Sequence, residues 1–516
     1  MLIKLILLIV FFSIMLAIGF YCRKHSTDVN GFVLGGRTVG PWLTAFAFGT
    51  SYFSAVVFVG YAGQFGWKYG ISATWAGIGN ALIGSLLAWV ILGRRTRIMT
   101  QHLDSATMPQ FFEARFGSRS LKIAASVITF IFLIPYTASL YNGLSRLFAM
   151  AFSIDYTICV IVMAVLTGIY VIAGGYMATA INDFIQGIIM LFGICAVIVA
   201  VLKSQGGFLA ALDGMGHIVD ETVSTTPGIF ASFFGPDPVN LLGVVLLTSL
   251  GTWGLPQMVQ KFYAIKSEKS ISTGTIVSTA FAFIVAGGCY FLGGFGRLFS
   301  DRIDIAANGY DSIIPTMLSE LPDLLIALVV ILVLSASMST LSSLVLTSSS
   351  TLTLDLLKDN YIKDMDEKKQ VTVMRWLIVV FVAISVILAI IQYRSNVTFI
   401  AQLMGVSWGA LAGAFLAPFL YGLYWKKTSQ AGVWISFIFS TLVMLANIFV
   451  RPSFPVLLQS PINAGAFCMI AGLIIVPIVS LVTPKPDKKL VEEAFACYEE
   501  KVLVPQSAAL GETSNK

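Results

Sequence analysis

Gly49-Thr50-Ser51-Tyr52-Phe53-Ser54 lies in the middle of an apolar run from 39 to 66, and its reading decides the fold. Glycine and small hydroxyl residues inside a run of spanning length are material for an unwound segment. Such a segment releases backbone carbonyls that can hold a cation, and its half-helix N-terminus attracts anionic groups. A comparable interruption, Thr248-Ser249-Leu250-Gly251-Thr252-Trp253-Gly254-Leu255-Pro256, falls in the run 239–260. Either break alone could be a kinked structural helix. Each one, however, opens a set of five spans, 39–203 and 239–424, and that pairing points to a transporter built of two inverted repeats.

Composition agrees with a membrane protein. The 516 residues are 57% hydrophobic and only 11% charged, whereas soluble domains carry about 25% charged residues. The apolar residues come in runs of about 20 rather than in amphipathic stripes. A soluble enzyme, a nucleic-acid-binding domain and a disordered scaffold are poor readings. An outer-membrane barrel is excluded because its strands would alternate polar and apolar residues. Six cysteines form no CxxC pair, and His25, His102 and His217 fall outside the apolar runs. Neither a disulfide framework nor a zinc site is indicated.

The runs predict an all-α polytopic protein of about thirteen transmembrane helices, near 2–21, 39–66, 71–93, 121–150, 156–173, 181–203, 239–260, 270–297, 323–353, 375–394, 399–424, 430–450 and 464–483. In the first, Lys4 precedes a long apolar stretch but no small-x-small cleavage site follows, so it reads as a helix rather than a signal peptide. The expected organisation is an additional N-terminal helix and cytoplasmic loop (1–38), a first repeat (39–203), an extracellular loop (204–238) and a second repeat (239–424). Two peripheral helices (425–483) and a cytoplasmic tail (484–516) follow. The tail is expected to be peripheral and partly disordered, with at most a short helix around Leu490–Val502. With the N-terminus outside, 24 of the 32 Lys and Arg fall on the inner side, which places the C-terminus in the cytoplasm.

Ionisable groups are almost absent from the spans. Among the 26 acids only Asp183 stands just inside an apolar helix, after Gly174-Gly175 and beside Asn182. One reading makes Asn182 or Asp183 the cap of a new helix; the other makes Asp183 an ion ligand. Proton-driven transporters usually need a chain of intramembrane carboxylates or histidines, so proton coupling is disfavoured. Hydroxyls are plentiful instead. Ser335-Ala336-Ser337-Met338-Ser339-Thr340-Leu341-Ser342-Ser343 puts Ala336, Ser339, Thr340, Ser343 and Thr347 on one helical face. Small residues of this kind also let helices pack closely in lipid. A neutral oxygen stripe nevertheless suits a dehydrated Na⁺.

Four elements together resemble the sodium:solute symporter family: Phe32-Val33-Leu34-Gly35-Gly36-Arg37, the Gly-Gly…Asp-x-x-Gln pattern at 174–186, Gly254-x-Pro256 and the Ala-x-x-Ser-Thr-x-Ser-Ser run at 336–343. The resemblance covers roughly 1–483. It implies a LeuT-like 5+5 inverted repeat working by alternating access in a cell (inner or plasma) membrane. It also implies a main Na⁺ site of the Thr50, Phe53 and Ala336 carbonyls with the Ser339 and Thr340 hydroxyls. Members resembling sialic acid symporters have another Na⁺ site, which here would use Asp183 with Ser339, Ser342 and Ser343. Proline symporters have an acid at the position of Tyr52 and tryptophans near those of Val56 and Thr248; none is kept here, which puts proline itself in doubt.

The expected solute pocket comprises Ser51, Tyr52, Phe53, Tyr136, Thr252 and Trp253, with Gln402. The resulting expectation is a symporter that takes up a small organic solute, such as an amino acid, carboxylate, sugar or vitamin, with one or two Na⁺. It would catalyse no covalent chemistry, and its partners would be the solute, Na⁺ and the lipid bilayer. Neither nucleic acid nor an obligatory protein partner is expected. The rivals are a membrane-embedded enzyme, a proton-coupled transporter of the same fold, and a channel or sensor.

Overall fold

The computed structural model describes the chain except residues 1, 153, 359–361, 363–364, 396–399 and 500–516. Among the described residues the chain is helical and contains no β-strand beyond isolated bridges. α1 is Leu2–Cys22. α2, Pro41–Tyr52, is followed by a break at Phe53 and by α3, which covers 56–69 and begins with a π-helical turn. α4 runs over 74–102, α5 over Met108–Phe116 and α6 over Arg119–Phe152.

The next 49 residues, Tyr156–Ser204, are interrupted only at Gly175 (φ 55°, ψ −148°). A helix of 49 residues is about 73 Å long at about 1.5 Å per residue, more than twice the roughly 30 Å hydrocarbon core. We therefore number its parts α7 (156–174) and α8 (176–204). Gly175 is required there: its positive φ is costly for any side chain, and a Cβ would sit 2.8 Å from the carbonyl of Phe32.

The second half opens with α9 (Pro238–Gly254) and α10 (Pro256–Ala264), bent by 46° at Leu255. Then follow α11 (Lys269–Gly294), α12 (Asp323–Thr351), α13 (Glu367–Ser395), α14 (Ile400–Tyr424), α15 (Gln430–Phe449), α16 (Pro461–Val482) and α17 (Lys488–Phe495). Proline opens α2, α9 and α10, where its missing amide costs nothing and its fixed φ suits the first turn. Ten described helices are long and apolar enough to span a bilayer, or eleven with the bent α9–α10 pair counted as one. Thirteen is reached only by dividing 56–102 near Gly70 and 156–204 at Gly175. The expected start at 399 lies outside the described residues.

The hydroxyl-rich part of α12 is fully enclosed, with every residue from Leu332 to Thr351 buried. Close approach elsewhere depends on glycine. A Cβ on Gly66 of α3 would lie 1.9 Å from the Gly293 carbonyl of α11, and one on Gly293 would lie 2.0 Å from that of Ala62. The two backbones are therefore in direct contact.

Charged groups secure the ends. At one end Lys4 pairs with Asp323 at 2.9 Å, and Arg297 pairs with Asp220 at 2.9 Å while stacking 3.7 Å over the Phe230 ring. Hydrogen bonds from the Thr222 hydroxyl and the Arg297 guanidinium hold the Asp220 carboxyl below its ordinary value. At the other end Arg37 donates to the carbonyls of Tyr263, Thr100 and Ser105. A short tail helix is present near the expected place. α17 is docked rather than peripheral: Val491, Ala494 and Phe495 are buried, and Arg95 lies between the rings of Tyr424 and Tyr498 at 4.2 and 4.5 Å. A 3-10 turn, Ala496–Tyr498, continues α17, and the last positions of the expected tail helix, 500–502, lie outside the described residues.

Gly66→Ala should destabilise the detergent-solubilised protein by about 1–3 kcal/mol, because a methyl group forces two backbones apart. A melting temperature equal to that of the parent would contradict this crossing.

Candidate functional site

The extended backbone of Phe53 (φ −87°, ψ 120°) ends α2. The last carbonyls of a helix have no amide one turn further on to accept from. Two of these, on Thr50 and Phe53, face the polar stripe of α12. Ser339 Oγ lies 3.0 Å from Thr50 O and 3.0 Å from Ala336 O. Thr340 Oγ1 lies 3.2 Å from Thr50 O, 3.3 Å from Phe53 O and 3.1 Å from Ala336 O. All five residues are buried. These five oxygen–oxygen contacts share only two hydroxyl protons, so at least three of them set lone pair against lone pair. A small cation at the centre of such a group would relieve that repulsion. The donors are hard, neutral oxygens, which suit an alkali ion. Among the described residues no three His, Cys, Asp or Glu gather to hold a metal.

One turn along α12 lies a second polar cluster. Ser342 Oγ and Ser343 Oγ donate to the Ser339 carbonyl at 2.8 and 3.1 Å, and Ser343 Oγ lies 2.9 Å from Ser51 Oγ. Lys261 of α10 donates to Ser343 Oγ at 3.0 Å, with its ammonium 3.7 Å from Asp183 Oδ2 and 5.1 Å from the centre of the Tyr176 ring. Asp183 and Lys261 are 0% and 2% exposed. Opposite unit charges about 4 Å apart attract by about 4 kcal/mol at an effective dielectric constant near 20. Neither charge would remain buried alone.

Two sequence expectations change here. α8 resumes at Tyr176, so Asp183 lies two turns inside the helix and neither it nor Asn182 caps anything; Asn182 Nδ2 instead reaches the Met15 carbonyl at 3.4 Å. The expected span 239–260 leaves Lys261 just outside the helix. Pro256 starts a new helix that carries Lys261 inside the protein. The apolar positions Val259, Phe262 and Tyr263 were the available signal that the helix continued.

The expected solute residues are dispersed in their engagements. Tyr136 of α6 meets Trp408 of α14 edge-on, with centroids 5.9 Å apart, and Trp408 packs on Gly251 in the second break. Trp408 carries no signal in the sequence, since it is a lone Trp in an apolar run. Thr252 donates to the Gly84 carbonyl at 2.8 Å and Trp253 Nε1 to that of Ile83 at 2.9 Å, so both tie α9 to α4. Ser51 belongs to the lysine cluster. Gln402 accepts from Arg451 and lines a cavity of about 820 Å³ with Gln64, Lys68, Asp220 and Arg297. Tyr52 ends α2, and its side chain lies outside the described residues.

A helix broken around a neutral oxygen cluster, facing a second broken helix, defines a LeuT-like secondary transporter. The chain belongs to the sodium:solute symporter family, whose model matches residues 32–439. Na⁺-coupled solute uptake is the activity that this membership carries, with Na⁺ as the coupling ion. The chain is 29% identical to the "Osmoregulated proline transporter OpuE" of Bacillus subtilis (strain 168), over 93% of this chain and 94% of that protein. It is 30% identical to a "Sodium/proline symporter" of Staphylococcus aureus (strain JH9), over 94% and 93%. Among solved structures, the substrate-bound outward-open state of a Na⁺-coupled sialic acid symporter matches with a TM-score of 0.75 at 17% identity, over 94% of this chain and 98% of that one. MhsT in complex with L-phenylalanine matches with a TM-score of 0.53 at 12% identity, over 85% and 98%. These structural likenesses concern the fold, a multi-pass helical membrane protein.

Thr340→Ala removes the one hydroxyl that touches all three carbonyls. It should raise the Na⁺ concentration for half-maximal uptake about tenfold, equivalent to ~1.4 kcal/mol, with little change in folding. Na⁺ activation identical to the parent's would remove Thr340 from the site.

Proposed function

We propose that the protein imports a small organic solute, with Na⁺ held by the Thr50, Phe53 and Ala336 carbonyls and the Ser339 and Thr340 hydroxyls. The observation that carries this reading is the convergence of those five oxygens at 3.0–3.3 Å around the Phe53 break. Because the oxygens come from α2 and α12, the ion fixes the broken helix against the hydroxyl helix, and its loss frees them to move apart. Each Na⁺ that enters down a 100 mV potential contributes about 2.3 kcal/mol, and a tenfold Na⁺ gradient about 1.4 kcal/mol more. No covalent reaction is involved.

The solute is proposed to lie beside the Phe53 break, against Tyr136 and Trp408, with Ser51 and Tyr52 on the α2 side. Thr252 and Trp253 hold the opposite wall in position, and Gln402 belongs to the vestibule that leads inward. Small amino or imino acids are the first class to try, because the named relatives include proline transporters at 29–30% identity over nearly the whole chain. The residues at Tyr52, Val56 and Thr248 argue for a solute other than proline as the best substrate. The bias of Lys and Arg supports an outside N-terminus and a cytoplasmic C-terminus, with the end bearing Arg37, Arg95 and α17 facing the cytoplasm.

Proteoliposomes given an inward Na⁺ gradient should accumulate a radiolabelled amino or imino acid from a panel that also contains sugars and carboxylates. Na⁺ and the accepted solute should raise each other's affinity by the same factor, as linkage requires. Na⁺ conduction without solute movement would favour a channel. Uptake driven equally well by a proton gradient in choline would favour proton coupling.

A further inference from the structure

The Asp183 cluster contains the residues of a cation site, and part of it is already filled by the protein. We propose that Lys261 is a tethered cation that takes the place of a second Na⁺, so that the protein binds one Na⁺ per chain. This rests on the reading of the Phe53 break as the Na⁺ site, and it sets the stoichiometry of that transport.

Three observations carry the inference. The Lys261 ammonium lies among the oxygens that a second ion would use, 3.0 Å from Ser343 Oγ and 3.7 Å from Asp183 Oδ2. Asp183 is fully buried, and among the described residues neither of its oxygens has a hydrogen-bond donor and Lys261 is the one countercharge beside it. The site is closed to solvent, so a Na⁺ placed beside Asp183 would put two cations against one carboxylate with no water to screen them. The same contacts suggest why the lysine can be released. At 3.7 Å it attracts Asp183 without a hydrogen bond, and it joins α10 of the second broken helix to α8 and α12, which carry the other groups. Relative movement of those elements must break the pair and re-form it.

The cluster is also joined to the proposed Na⁺ site. Ser339 offers its hydroxyl to the five-oxygen group, and its carbonyl accepts from Ser343, the hydroxyl that Lys261 touches. Ser51, next to Thr50, completes the link from α2. Displacement of the ammonium would therefore be felt at the ion one helical turn away.

Lys261→Gln removes the cation and leaves the carboxylate and serine oxygens. Equilibrium binding of ²²Na⁺ to the purified full-length protein needs no knowledge of the solute. The proposal expects one Na⁺ per chain for the parent and two for Lys261→Gln, with the Hill coefficient rising from 1 towards 2. Thr340→Ala should weaken the single site of the parent, whereas Thr340→Ala with Lys261→Gln should still bind one ion tightly at Asp183. If an unpaired Asp183 prevents folding of the single variant, Lys261→Ser, with room for a hydrated ion, and the charge-neutral Lys261→Gln/Asp183→Asn pair serve instead. The pair should fold and bind one ion, and the serine variant grown in Na⁺ should bind two. Two ions bound to the parent, or only one to every folded variant that retains Asp183, would overturn the proposal. Failure of the underlying reading appears differently, as a parent that binds no Na⁺ or whose single ion is unaffected by Thr340→Ala.

Discussion

The interruption of α2 at Phe53 is the constraint on which the rest of the structure depends. A continuous helix would satisfy the Thr50 and Phe53 carbonyls internally and present α12 with an inert surface. The extended residue leaves them exposed to a helix whose hydroxyls are too few in protons to satisfy them. Inside lipid, unsatisfied carbonyls cost several kcal/mol each. The break is therefore tolerable only if something bonds to those oxygens; the Ser339 and Thr340 hydroxyls do so in part, and in the proposed function a hard cation would complete the bonding while pinning α2 to α12. The burial of α12 over its whole polar length follows from the same demand, because a serine-rich helix has to be enclosed by protein.

The scarcity of charge has a related meaning. A chain with 11% charged residues that buries Asp183 and Lys261 against each other at depth is unusual, since such groups are expensive in the membrane and are retained where they work. The pair is linked to the five-oxygen group through Ser343, whose hydroxyl accepts from Lys261 and donates to the Ser339 carbonyl. The neutral oxygen group and the charged cluster are thus adjacent along α12, joined by Ser339 and Ser343.

Much of this was legible in the sequence, for identifiable reasons. The break at 49–54 and the oxygen stripe at 336–347 are local patterns, and helical periodicity alone places Ala336, Ser339 and Thr340 on one face. The family resemblance supplied their partners. What periodicity could not supply was the far end of a bent helix. Gly254 and Pro256 suggested a stop, so Lys261 was placed in a loop, although Pro256 starts α10 and carries the lysine inward. Asp183 was ambiguous because Gly174-Gly175 gives no sign whether the next helix begins at 176 or 182; the positive φ of Gly175 decides for 176. The solute side was least legible. Thr252 and Trp253 look like pocket residues, yet their polar atoms are engaged by carbonyls of α4, contacts about 170 residues distant in sequence. The docking of the tail was equally hidden, since Arg95 and Tyr498, just beyond α17, are 403 residues apart in sequence.

The central claim is that the five oxygens beside Phe53 hold Na⁺, and ligand-linked thermal stability tests it without any solute. The melting temperature of the purified protein should be compared in NaCl and in choline chloride at equal ionic strength, for the parent and for Thr340→Ala. The account predicts that Na⁺ raises the melting temperature of the parent by about 1–2 °C, consistent with about 1–2 kcal/mol of linked stabilisation in a chain of 516 residues, and leaves the variant nearly unmoved. An equal rise in both proteins, or none in the parent, would contradict it.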